Sequence, residues 1–195
     1  VFAHVPMILA PDRSKLSKRH GATAVEEFRE AGYLPEAIVN YLALLGWSPG
    51  DEREMMSVGE LIERFSLDAV SKHAAIYDVK KLTWLNAQYL NALPVDRIVA
   101  AALPFLQTRG LVADEPDAGT INYVTEVVKT VRSRVHTLAE LADAASYFFT
   151  DNFTYEEKGA RKFFKPETAE LLARGREVLA GVEPFDLPNV EAAYR

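Results

Sequence analysis

Apolar residues recur along most of this chain with helical spacing. Val124, Val127, Val128, Val131 and Val135 fall on one face of a helix predicted near 120–135. Similar periods predict helices near 23–31, 35–45, 57–64, 78–90, 94–108, 137–149, 154–164 and 166–180. Residue chemistry marks their ends. The pattern Ser/Thr-x-x-Glu occurs at Thr23/Glu26, Ser57/Glu60, Thr137/Glu140 and Thr154/Glu157, where hydroxyl and carboxylate can reciprocally satisfy the orphan amides of a first turn. Gly32, Gly46 and Gly110 follow apolar runs as C-terminal stops, and Pro35, Pro94 and Pro166 suit first-turn positions.

The first nine residues, Val1 to Leu9, break this pattern. They form a short apolar run, strand-like in length and interrupted by Pro6, which predicts an edge strand running into a loop. Val1, Phe2, Val5 and Ile8 then belong to a sheet whose other strands are absent, and strand structure is expected only near here and in short connections. The acidic, turn-rich stretch Ala113 to Gly119 is the candidate domain boundary. The most apolar window, Ala37 to Trp47, is about half the roughly 20 residues needed to cross a bilayer and contains Asn40, so it reads as a buried helix.

At 195 residues, 49% hydrophobic and 26% charged, the chain can bury a real core without staples, which argues against a disordered or membrane-spanning protein. The absence of Cys removes disulfides, thiol catalysis and thiolate metal sites together, in keeping with a cytoplasmic protein. The opening Val1-Phe2-Ala3-His4 carries no initiator Met and no secretory signal, so the chain reads as a piece of a longer polypeptide. A net charge of −6 disfavours nucleic-acid binding by the whole surface and restricts it to local basic patches.

The strongest such patch is Asp12-Arg13-Ser14-Lys15-Leu16-Ser17-Lys18-Arg19-His20-Gly21. Cations, hydroxyls and a closing Gly precede a predicted helix start, so ammonium groups and backbone amides can converge on an anion, most naturally polyphosphate. A plain solvated basic loop fits the same residues. The Gly-x-x-x-x-Gly-Lys-Ser/Thr phosphate loop is absent.

Lys15-Leu16-Ser17-Lys18-Arg19 resembles the Lys-Met-Ser-Lys-Ser signature of class I aminoacyl-tRNA synthetases, and its flanks are similar to the glutamyl-tRNA synthetase family in particular. Gly32-Tyr33-Leu34-Pro35-Glu36-Ala37, Asn40-Tyr41-Leu42-Ala43-Leu44-Leu45-Gly46-Trp47 and Lys81-Leu82-x-Trp84-Leu85-Asn86-x-x-Tyr89-Leu90 are similar to that family's stem-contact helices. Weaker similarity runs through Phe148-Phe149 and Tyr155-Glu156-Glu157-Lys158.

The resemblance implies a mainly α fold in three parts: a catalytic-domain edge with the signature loop at 1–21, a stem-contact helical region at 22–112, and a first anticodon-binding helical domain at 113–195. It implies glutamate–tRNA ligation through a glutamyl-adenylate, with tRNA, ATP accompanied by Mg2+, and L-glutamate as partners of a cytoplasmic monomer. Lys18 would bind the ATP phosphates and offset charge on the leaving pyrophosphate. Lys15 and Ser17 would shape and close the loop, with Leu16 and Arg19 completing it. The Rossmann half and glutamate pocket would lie before Val1, so this fragment alone should be inactive.

Two basic stripes are candidate tRNA contacts or solvated faces. Lys129, Arg132 and His136 lie opposite the valine stripe, with Arg134 beyond its other edge and best placed to read an anticodon base. Lys158, Arg161, Lys162 and Lys165 follow i, i+3, i+4, i+7 spacing, opposite Ala160, Phe163 and Phe164. Trp84 and Tyr89 read as core or helix-junction residues rather than stacking platforms, and Asn86 as either a satisfied junction group or a tRNA contact. His4, His20, His73 and His136 are too scattered for a metal pair, and no metal site is expected. A non-catalytic helical RNA-binding scaffold is the rival function. The glutaminyl enzyme is the rival within the class, but it follows the loop with a β-barrel.

Overall fold

The computed structural model describes residues 5–17, 24–152 and 154–195. Ten α-helices are present among them: α1 (Val25–Glu30), α2 (Pro35–Leu44), α3 (Val58–Arg64), α4 (Val79–Ala92), α5 (Val95–Thr108), α6 (Ala118–Val131), α7 (Leu138–Ala145), α8 (Glu157–Phe163), α9 (Pro166–Ala180) and α10 (Leu187–Tyr194). The mainly α expectation is met. The strand at the start is β1 (Ile8–Leu9), and a second short strand lies in the connection before α4. β1 pairs in parallel with this β2 (Ala75–Ile76), which donates Ala75 N–H to Met7 and is followed by Tyr77 N–H on Leu9. Two residues of Ala-Ile leave no alternation to read. Just before β1, Val5 and Met7 stand 79% and 59% exposed, and Val1 and Phe2 lie outside the described residues.

Polar side chains cap five of the ten helix starts, and two of the expected boxes are corrected. Ser57 and Glu60 form the expected reciprocal box on α3. Asp78 caps α4 and Asp117 caps α6, each accepting from first-turn amides. Thr154 caps nothing: α8 begins at Glu157 itself, too close for a box, and that carboxylate pairs instead with Arg161. Thr23 lies outside the described residues, and of the two first-turn carboxylates of α1 it is Glu27 that accepts from Ala24 N–H. The helices predicted near 120–135 and 137–149 each tighten into a 3-10 turn, Arg132–Arg134 and Ser146–Phe148.

The chain forms two compact units, 1–151 and 152–195. In the first, α2, α4, α5, α6 and α7 share one core containing Leu34, Leu82, Leu85, Leu90, Ile98, Leu106, Val124, Val128 and Leu141, all fully buried. Each such side chain contributes about 1.5–3 kcal/mol, against about 0.2–1 kcal/mol for an exposed ion pair, so this core holds the unit together. The acidic stretch at 113–119 joins α5 to α6 on the surface of that unit, and its Asp117 serves as the α6 cap. The apolar window at 37–47 buries one face only, since Val39 and Leu42 are exposed. In the second unit α8, α9 and α10 bury none of their described residues, and α10 was not foreseen.

Candidate nucleic-acid interface

Lys15 is placed by a tight local hairpin. Arg13 takes a left-handed φ of 64°, the Asp12 carboxylate accepts from both the amide and hydroxyl of Ser14, and Ala10 N–H donates to Ser14. This returns the chain so that Lys15 bridges to Leu9 of β1. Lys15 points into solvent, Leu16 packs on the core and Ser17 is half-buried. Lys18 and Arg19 lie outside the described residues. Helix α1 does not supply the expected anion-binding end: its first turn carries Glu26 and Glu27, and Glu27 already holds the Ala24 amide. The cationic side chains of the loop must carry any phosphate contact.

One helix connects this region with the candidate RNA-reading turn. α4 starts three residues after the end of β2, and Tyr41 fixes that start, its hydroxyl donating to the Asp78 carbonyl while accepting from the Asp78 amide. Burial pushes the Tyr41 hydroxyl up to about 12, so it stays a neutral donor. α4 runs 14 residues, about 21 Å, and its C-cap carbonyl on Leu93 accepts from Arg132.

The turn 132–137 is held on every side. Val131 and Val135 are buried anchors, and the His136 carbonyl accepts from Asn86 Nδ2 at 2.6 Å. The His136 amide and ring both meet Glu140, at 2.7 and 3.1 Å, and Thr137 Oγ1 accepts from the Glu140 amide. Leu138 N–H donates to Gly32. From this frame Arg134 projects, exposed and without a hydrogen bond or ion pair to the described residues.

The other sequence candidates are less available. Lys129 pairs with Glu126, Arg132 caps α4, and Arg161 pairs with Glu157. Lys162 lies 5.0 Å over the Phe163 ring, while Lys158 is exposed. Tyr89 is buried as expected, but Trp84 is 44% exposed. The buried stripe of α4 runs through Leu82, Leu85, Asn86, Tyr89 and Leu90, and Trp84 falls two residues, about 200°, around from Leu82. Asn86 is the site residue left undecided by sequence. Its one signal was an amide in the middle of an apolar helical stripe.

Residues 1–84 match the family described as tRNA synthetases class I (E and Q), catalytic domain, and residues 97–195 match the family described as anticodon binding domain. Over its whole length the chain is 61% identical to a glutamate–tRNA ligase of Desulforudis audaxviator and 62% identical to one of Moorella thermoacetica. It covers 39% and 40% of those proteins. The crystal structure of a glutamate tRNA ligase from Elizabethkingia meningosepticum, in complex with its amino acid, superposes with a TM-score of 0.82 at 28% identity, over 98% of this chain and 40% of that one. The chain thus spans about two fifths of the length of its relatives; over residues 97–195 it belongs to the anticodon binding domain family, preceded at 1–84 by the class I (E and Q) synthetase catalytic-domain match.

Proposed function

We propose that this chain is the part of a cytoplasmic, monomeric glutamate–tRNA ligase that supplies the ATP-phosphate loop and tRNA-contacting helices. The carrying observation is the match of the entire chain, at 61–62% identity, to glutamate–tRNA ligases. In the reaction the glutamate carboxylate attacks the α-phosphorus of ATP, expelling pyrophosphate, and the adenylate's acyl group passes to the terminal adenosine of tRNA. Neither step needs a covalent enzyme intermediate, so catalysis is positioning and stabilisation of phosphate charge. Lys18 meets the charge that builds on the leaving pyrophosphate. Lys15, Leu16, Ser17 and Arg19 hold the loop around it. Magnesium arrives with ATP, bound to its phosphates. Among the described residues no group of three or more His, Asp or Glu side chains is placed to hold a metal, and no step is assigned to one here.

Residues 1–21 act as the catalytic-domain edge, 22–112 as the stem-contact region and 113–195 as the anticodon-binding part. Arg134, free and rigidly presented, reads an anticodon base, while Lys129, Arg132, Lys158, Arg161 and Lys162 contribute to backbone contact. In the full-length protein, Lys18→Ala should lower glutamate- and tRNA-dependent ATP–pyrophosphate exchange by on the order of 10² or more, with little change in glutamate affinity. An unchanged exchange rate in that variant removes Lys18 from the mechanism. No exchange in the wild-type protein removes the ligase assignment.

A further inference from the structure

The Arg134 turn is not positioned by its own helix alone. Asn86 is fully buried on α4, and its two polar atoms are spent in opposite directions. Oδ1 accepts from Leu34 N–H at 2.8 Å, at the start of α2, and Nδ2 donates to the His136 carbonyl at 2.6 Å, two residues after Arg134. One carboxamide therefore ties the α1–α2 turn to the turn that follows Arg134. The same two chain segments meet a second time, where Leu138 N–H donates to Gly32 and the Gly32 α-carbon sits so close that a Cβ would lie 2.5 Å from Ala139 N.

We infer that Asn86 is a positioning residue for tRNA recognition, clamping Arg134 in a fixed place relative to α2 and, through α4, to the strand that carries the signature loop. This rests on the assignment of Arg134 to base reading proposed above. Burial alone would be served by Leu at this position, as at Leu82, Leu85 and Leu90 on the same stripe. A carboxamide adds direction: both of its bonds must be met at once, so the turn has one allowed placement. Loss of the clamp leaves the buried Leu34 N–H without a partner and frees the half-buried His136 carbonyl, and the turn must shift to hydrate them. A displacement of about 1 Å at a reading side chain is enough to cost up to about 10²-fold in a geometry-dependent step.

The test uses the full-length protein and binding of cognate and anticodon-swapped tRNA. Asn86→Leu removes both bonds, and Asn86→Asp keeps the acceptor for Leu34 while removing the donor to His136. Either variant, folded by thermal melt and circular dichroism, should lose about tenfold of the preference for the cognate anticodon. In an Arg134→Ala background the same substitution should change that preference no further, because Asn86 acts through Arg134. A preference unchanged by Asn86→Leu or Asn86→Asp, or an equal effect with and without Arg134, overturns the clamp. Failure of the underlying assignment shows separately, as Arg134→Ala weakening both tRNAs equally. Should neither Asn86 variant fold, hydrogen exchange on the wild-type protein decides: Leu34 and Leu138 amides among the slowest support the clamp, and fast exchange at either overturns it.

Discussion

A Cβ at Gly32 would lie 2.5 Å from Ala139 N and 2.8 Å from Leu138 N, and these are backbone atoms that cannot swing aside. The residue also holds φ at 84°, where an L side chain is strained. Sequence gave Gly32 the role of a helix stop after α1, and it has that role, but the larger constraint comes from residues more than a hundred positions later. Gly32→Ala should destabilise the protein by about 3 kcal/mol or more, combining left-handed strain with the displaced 136–139 turn. A urea midpoint series measures it, and a loss below about 1 kcal/mol would show that the turn yields freely. Gly110, with φ 68° and nothing near its would-be Cβ, provides the control in which only backbone strain is felt. Tyr89 and Trp84 mark the limit of residue-level reading. Both are aromatic and only five positions apart, yet only Tyr89 is on the buried stripe, where its hydroxyl lies 2.6 Å from the Met56 carbonyl and 2.7 Å from Asn40 Oδ1. Its single proton serves one of them at a time.

The interface between α2 and α4 gathers Tyr41 and Tyr89, with Tyr77 just before α4, and burial raises each hydroxyl to about 12. A raised folded-state value means that ionisation is easier in the unfolded chain, whose tyrosines titrate near 10. The stability these groups contribute is therefore whole below about pH 10 and is lost as pH climbs through 12. Urea unfolding between pH 8 and 12, followed with tyrosinate absorbance, should show stability falling across that window. Titration of all eight tyrosines near pH 10, with no loss of stability, would contradict the packing of this interface. Elements of this kind were legible because they announce themselves locally: Val124 to Val135 by period, Ser57/Glu60 by a matched cap, Pro35 and Pro166 by first-turn geometry. The elements missed lacked a buried pattern: α10 carries an Asp186 cap and a first-turn Pro188, but these stand alone. β2 is two residues whose pairing depends on Leu9, and α10 has no apolar face that is buried to betray it. The candidate site was partly legible for the same reason. Lys15 and Arg134 could be singled out from charge and position, whereas the occupation of Arg132 by Leu93 and of Lys129 by Glu126, and the two-way bond of Asn86, arise only when distant segments meet.

Across the whole chain, burial is distributed very unevenly. Every fully buried side chain among the described residues belongs to the unit ending at Asp151, and its helices α4 to α7 carry most of them. The unit from Asn152 to Arg195 leaves Phe163, Phe164, Leu171, Leu172, Phe185, Leu187 and Tyr194 at least half exposed. Its helices rest on local contacts such as the Asp186 cap and the Thr168 hydroxyl, which accepts from Lys165 N–H and donates to the Phe163 carbonyl. Isolated helices of this length are marginal, since most helical stability comes from a buried face. In hydrogen exchange of the 195-residue chain, amides of α4 to α7 should open only with global unfolding. Those of α8 to α10 should exchange through local openings on the order of 1–2 kcal/mol. The contrast should persist on dilution, because it reflects packing within one chain. If α9 is instead protected as strongly as α5, its apolar residues are covered. A protection that disappears on dilution would then identify a second copy as the cover, and one that survives would overturn the description of this unit as coreless.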